Sequence, residues 1–174
     1  MEKRKINYSI LNLILIFFIT SFIGWVFEMT FHYVRYFNIT DRGFLYGPII
    51  PIYGFGSLLI LTILKKYKNR PLKHFLMIML LCGALEYLTS YILELIFHRR
   101  WWSYFKYPFN LNGRICLYGL LLFGFAGTFI TYYLAPSINK KLNKINIVKR
   151  KNISKLLIFI TIIDFIISTL KYIG

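Results

Sequence analysis

The sequence predicts an all-α membrane protein of about five transmembrane helices, the first four arranged as a tandem 2+2 parallel repeat, with the N-terminus inside and the C-terminus outside. Three observations carry this. Of the 174 residues, 57% are hydrophobic and 20% aromatic, too apolar a mix for a water-soluble domain of this size. Of the 22 Lys and Arg residues, 15 fall at the N-terminus and in two linkers that share one side of the predicted membrane. On the other side, one loop motif occurs twice.

Apolar runs cover about 8–34, 47–64, 74–98, 115–136 and 154–173, each near the ~20 residues a helix needs to cross the hydrocarbon. The chain is read as a single integral membrane domain, 1–174, with repeat one at about 8–64, repeat two at about 74–136 and an additional helix at about 154–173. The first run follows Met1 to Lys5 in the manner of a signal peptide. It is too long for an h-region and contains Glu28, so it is expected to stay as the first membrane helix. Basic residues at 3–5, 65–73 and 140–155 mark the cytoplasmic side, against seven opposite. The net charge of +16 is thereby a topology signal, and nucleic acid is not an expected partner. The cell membrane, with multiple passes, is the expected location. Cys82 and Cys116 show no metal spacing and sit at different depths, so no disulfide is expected.

The repeat emerges from the two outer loops. Phe37-Asn38-Ile39-Thr40-Asp41-Arg42-Gly43-Phe44-Leu45-Tyr46-Gly47 aligns with Phe109-Asn110-Leu111-Asn112-Gly113-Arg114-Ile115-Cys116-Leu117-Tyr118-Gly119 as F-N-I/L-x-x-R-x-x-L-Y-G. Upstream, Glu28 and His32 align with Glu94 and His98, the second copy carrying six extra residues around 99–104. Equivalent points two helices apart share a topology, so the copies should be related by an axis along the membrane normal.

Carboxylates in lipid are costly and usually functional, and every acidic residue but Glu2 lies in or beside a predicted span. Gly83, Glu86, Ser90 and Glu94 share one helix face, within about 80° at 3.6 residues per turn. Ser21, Gly24, Trp25, Glu28 and His32 form a similar stripe. Glu86 falls ~16 Å into the membrane, with Glu28 and Glu94 nearer the outer surface, which outlines an outward-opening cavity. Arg42 and Arg114 begin helices two and four on that side and can pair with Glu28 or Glu94; the fork of an arginine also suits a phosphate or carboxylate. Such pairs could equally just hold the halves together.

Helix two opens Gly47-Pro48-Ile49-Ile50-Pro51, so its first turns lack hydrogen bonds and should face a cavity. Gly119, Gly124 and Gly127 read as helix-packing positions. The segment Arg99-Arg100-Trp101-Trp102-Ser103-Tyr104 reads as an aromatic belt or as a lid that recognises a headgroup. Glu28 with His32 and Glu94 with His98 could in principle converge on a metal, but no metal or cofactor is expected. Asp164 lies well inside helix five, and a partner on another helix or subunit suits it better than Lys171.

Gly24-Trp25 with Glu28, Arg42-Gly43-Phe44-Leu45-Tyr46-Gly47-Pro48, Pro51-Ile52-Tyr53-Gly54-Phe55-Gly56, Leu85-Glu86-Tyr87-Leu88-Thr89-Ser90 with Glu94, and Arg100-Trp101-Trp102 followed by Pro108-Phe109-Asn110-Leu111-Asn112-Gly113-Arg114 together resemble the CmpB family, labelled type IV ABC-transporter permeases. The resemblance covers about residues 20–130 and does not reach His32 or the helix from Ile153 onward. It implies transport, with the ATPase on a separate polypeptide, since the chain has no G-x-x-x-x-G-K-S/T loop.

The leading expectation is a permease-like membrane protein with an outward-facing polar cavity for an anionic or amphipathic ligand. Its expected binding residues are Glu28, Arg42, Tyr46, Glu86, Ser90, Glu94, Arg100, Trp101, Trp102, Asn110, Asn112, Arg114 and Tyr118. A membrane-embedded enzyme acting on a lipid headgroup or acyl chain, with Glu86 or Glu28 as base, is the first alternative, although no nucleophile motif marks a catalytic residue. A non-catalytic scaffold is the second. Membrane lipids, a separate ATPase subunit and further copies of the chain are the partners these readings admit.

Overall fold

The computed structural model describes residues 7–38 and 43–173; Arg42 lies outside them. Helix α1 spans Ile10–Tyr36, α2 Pro51–Thr62, α3 Pro71–Phe97, α4 Leu117–Phe129, α5 Ala135–Leu142 and α6 Ile147–Ile173. A π-helical turn, Ile130–Leu134, joins α4 and α5 into one rod. Pro136 explains the turn: lacking an N–H, and with its ring pressing on the carbonyl one turn back, it opens the ladder there. Ala135 N–H instead reaches the carbonyl of Ile130.

Four helical stretches are long and apolar enough to cross a membrane: Ile10–Arg35, Pro71–Phe97, Leu117–Leu142 and Ile147–Ile173. The distribution of polarity agrees. Asn12, Ser21, Ser57, His74, Glu86 and Ser90 are buried, whereas Leu80, Leu88 and Leu95 of α3 and Phe159, Phe165 and Leu170 of α6 are exposed, a pattern suited to lipid rather than water.

The second apolar run departs from its expected span of 47–64. Helix α2 has 12 residues, ~18 Å of rise against ~30 Å of hydrocarbon. Its entry, 43–50, is non-helical because Pro48 and Pro51 remove donors and Pro51 is best placed as the first helical residue. The freed backbone donors are satisfied by neighbouring helices. Ile50 N–H donates to the Ser21 carbonyl of α1 at 3.1 Å. Tyr46 and Gly47 N–H donate to the two carboxylate oxygens of Asp164 on α6, at 2.9 and 2.8 Å. Irregular backbone at membrane depth is tolerated under such cover.

Helix α1 packs on α2 and α3 on α4, while α6 lies along α1. One end of the bundle is tied by Asn12, whose side-chain amide donates to Asn139 and Asn143 at 2.7 and 2.8 Å and whose oxygen accepts from Arg150 at 2.6 Å. Of the expected packing glycines, Gly124 and Gly127 are in close contact: an added Cβ would stand 2.6 Å from Phe75 and 2.7 Å from Ile78, respectively, whereas at Gly119 the nearest atom is 3.7 Å away. Gly127→Ala is therefore expected to destabilise the bundle by about 1–3 kcal/mol, read as a lower thermal midpoint in detergent. An unchanged midpoint would mean that α3 and α4 are not in close apposition there.

Candidate functional site

The candidate site is built on the end of α3 opposite the Asn12 knot. After Phe97 the chain turns at His98, which takes φ 50°, and folds back over α3. Asn110–Leu111 pairs antiparallel with Ile115–Cys116 across a tight turn. Both turn residues, Asn112 and Gly113, have positive φ (52° and 65°), a conformation that Asn-Gly adopts with least strain. Asn110 closes the turn from below, donating to the Tyr107 carbonyl at 2.8 Å and accepting from Gly113 N–H at 3.0 Å.

This hairpin delivers Arg114 into the bundle. Its guanidinium, on a side chain only 10% exposed, lies 2.7 Å from Glu94 Oε2 and donates to Ser90 Oγ at 3.1 Å. The rings of Tyr87 and Tyr91 stand at 5.7 and 5.3 Å, within cation–π range. Arg100 approaches the same carboxylate, Nη2 at 2.8 Å from Oε2 and Nε at 3.1 Å, and reaches the Asn112 carbonyl at 3.2 Å. One carboxylate thus serves two guanidiniums, leaving one net positive charge.

Deeper along α3, Glu86 accepts from the Tyr104 hydroxyl at 2.9 Å. On α1, Glu28 accepts from Tyr53 of α2 at 2.6 Å, the Tyr53 ring lying so close to Gly24 that a Cβ there would be 2.3 Å away. Burial first, then the Glu86 carboxylate and the hydrogen bond to it, then Glu28, hold the Tyr104 hydroxyl well above the ordinary tyrosine range.

Of the expected site residues, Glu86, Ser90, Glu94, Arg100, Asn112 and Arg114 converge at this end of α3, Asn112 through its bond to the Tyr87 hydroxyl at 2.9 Å. Glu28 stands with Tyr53 beside the Glu86 centre. Trp102 donates to the Arg114 carbonyl at 3.1 Å. Trp101 lies apart, in an aromatic cluster with Phe44, Phe97 and Tyr172. Tyr46 is exposed beneath the ammonium of Lys171, 4.3 Å from its ring, and Tyr118 is exposed and stacked on Tyr107, whose hydroxyl takes a hydrogen bond from Arg35. His32 Nδ1 lies 3.1 Å from the Asn38 carbonyl.

Of the tyrosines, the sequence pointed to Tyr46 and Tyr118; among the described residues it is Tyr53, Tyr87, Tyr91 and Tyr104 whose phenols touch Glu28 and Glu86 or wall Arg114. Helical spacing held the signal for two of them, since Tyr87 and Tyr91 stand one turn apart beside Ser90 and Glu94. Asn112-Gly113 was an equally legible turn signal.

Four long apolar helices, with polar side chains such as Asn12, Ser21, Glu86 and Ser90 buried among them, define a multi-pass helical membrane protein, transporter-like in build. The chain belongs to the family described as "Putative ABC-transporter type IV", whose family model matches residues 15–169. That match takes in most of α6, beyond the 20–130 that the motifs span. No match exists among curated proteins or solved structures.

Proposed function

We propose that the chain is the membrane subunit of a transporter that takes an anionic amphipathic ligand at the end of the bundle bearing Arg100 and Arg114, the outer end under the orientation set by the basic linkers. The carrying observation is the sharing of Glu94 between two guanidiniums. A purely structural pair would be neutral; this cluster retains one positive charge, inside walls made by Tyr87, Tyr91 and Phe105. A phosphate or carboxylate headgroup fits the charge, and the exposed apolar flanks of α3 suit acyl chains. The segment 99–104, which contributes Arg100, Trp102 and Tyr104 to the site, acts as its lid. ATP hydrolysis is supplied by a separate polypeptide, because the chain carries no phosphate-binding loop of its own.

The test exploits the shared carboxylate. Glu94→Gln frees both arginines, so binding of anionic phosphatidylglycerol, followed by tryptophan emission in zwitterionic micelles, should tighten by about tenfold, or 1.4 kcal/mol. Phosphatidylcholine binding should not change. If Glu94→Gln weakened or left unchanged the binding of both lipids, the cluster would be a structural tie and the scaffold reading would stand in its place.

A further inference from the structure

Below the arginine cluster lies a second centre with the opposite charge balance. Glu28 comes from α1, Tyr53 from α2, Glu86 from α3 and Tyr104 from the returning loop. Among the described residues, the titratable groups beside it are these four together with Cys82 and Cys116, none of them basic. Arg114, further toward the end of α3, is already engaged by Glu94 and Ser90.

One further observation points to an occupant. Glu86 is 6% exposed, and its Oε2 has no hydrogen-bond partner among the described residues. A carboxylate as buried as Glu86, with no counter-charge beside it among the described residues, is strongly disfavoured in its ionised form and ordinarily retains a proton.

We propose that Glu86 is a proton-binding site inside the bundle, holding a proton at neutral pH. Tyr104 occupies Glu86 Oε1 as a donor, which leaves Oε2 to carry the proton. Tyr104 belongs to the same loop as Arg100 and Arg114, so displacement of that loop removes a donor from Glu86 and raises its proton affinity, while entry of water lowers it. The site thereby gives the chain a means of exchanging a proton as the loop moves. The proposal stands on its own residues and does not require the anionic ligand.

Infrared titration of the purified full chain in liposomes tests it. The wild type should show a protonated carboxyl C=O band at neutral pH that is insensitive to replacing sodium or potassium with a large organic cation. Glu86→Gln should abolish the band, and Glu94→Gln and Asp164→Asn should retain it. Tyr104→Phe should shift its titration midpoint upward, and this variant decides the matter if Glu86→Gln does not fold. The proposal is overturned by any of three results: no band at neutral pH, a band that appears only when small cations are withdrawn, or a midpoint unmoved in Tyr104→Phe.

Discussion

In an Asp164→Ala variant, the bundle should unfold in detergent at a markedly lower temperature than the wild type, with a loss on the order of 2–4 kcal/mol. Asp164 accepts from Tyr46 and Gly47 N–H at 2.9 and 2.8 Å and from Ser168 Oγ at 3.0 Å. Alanine would leave two backbone donors of the α2 entry without partners at membrane depth, where no water replaces them. Gly47 is part of the same fit, since an added Cβ would stand 2.9 Å from the carboxylate. Asp164→Asn should lose less, because its amide oxygen can serve one N–H while its NH2 group opposes the other. Thermal unfolding of both variants gives the check, and full retention of stability by alanine would show that α6 does not hold the entry in place.

Arg114→Gln is expected to have the largest effect on binding. Removing the most deeply buried guanidinium takes away the net positive charge and its charge-assisted hydrogen bonds, so affinity for phosphatidylglycerol should fall by about ten- to a hundredfold, or 1.5–3 kcal/mol. Arg100 remains to pair with Glu94, and glutamine can still reach Ser90, so the fold should persist. Arg150→Gln, at the opposite end of the bundle beside Asn12, should leave this binding unaffected. Equal losses in the two variants would assign the effect to nonspecific surface charge.

The contrast between these positions also shows what the sequence made legible. Four long spans follow from apolar runs because lipid imposes one requirement on every residue that faces it. The entry of α2 was readable as broken from Gly47, Pro48 and Pro51, but which groups would satisfy it was not. Asp164 stands 117 residues from Gly47, and its position within a hydrophobic helix indicated only that a partner other than Lys171 was needed. The same holds at the site. Glu86, Ser90 and Glu94 share a face by helical period alone, and Arg114 was flagged by the duplicated motif, yet the sharing of Glu94 by two arginines depends on how the Asn112-Gly113 turn folds back. Tyr53, Tyr87, Tyr91 and Tyr104 were passed over because in a chain with 14 tyrosines the residue type carries little information until the hydroxyls are placed.

Phe37 and Phe109, equivalent in the alignment, both take positive φ, 49° and 53°. Upstream of Phe109, the second copy carries the extra residues 99–104, which bring Arg100 and Tyr104 onto α3.

The most direct test of the account is a structure of the full chain determined in native lipid at a resolution that shows headgroups. The expected result is an anionic headgroup against Arg114 and Arg100, between Tyr87, Tyr91 and Phe105, with its acyl chains along the exposed face of α3. A centre in which Glu94 and both arginines close on one another, with no headgroup at that position, would contradict it.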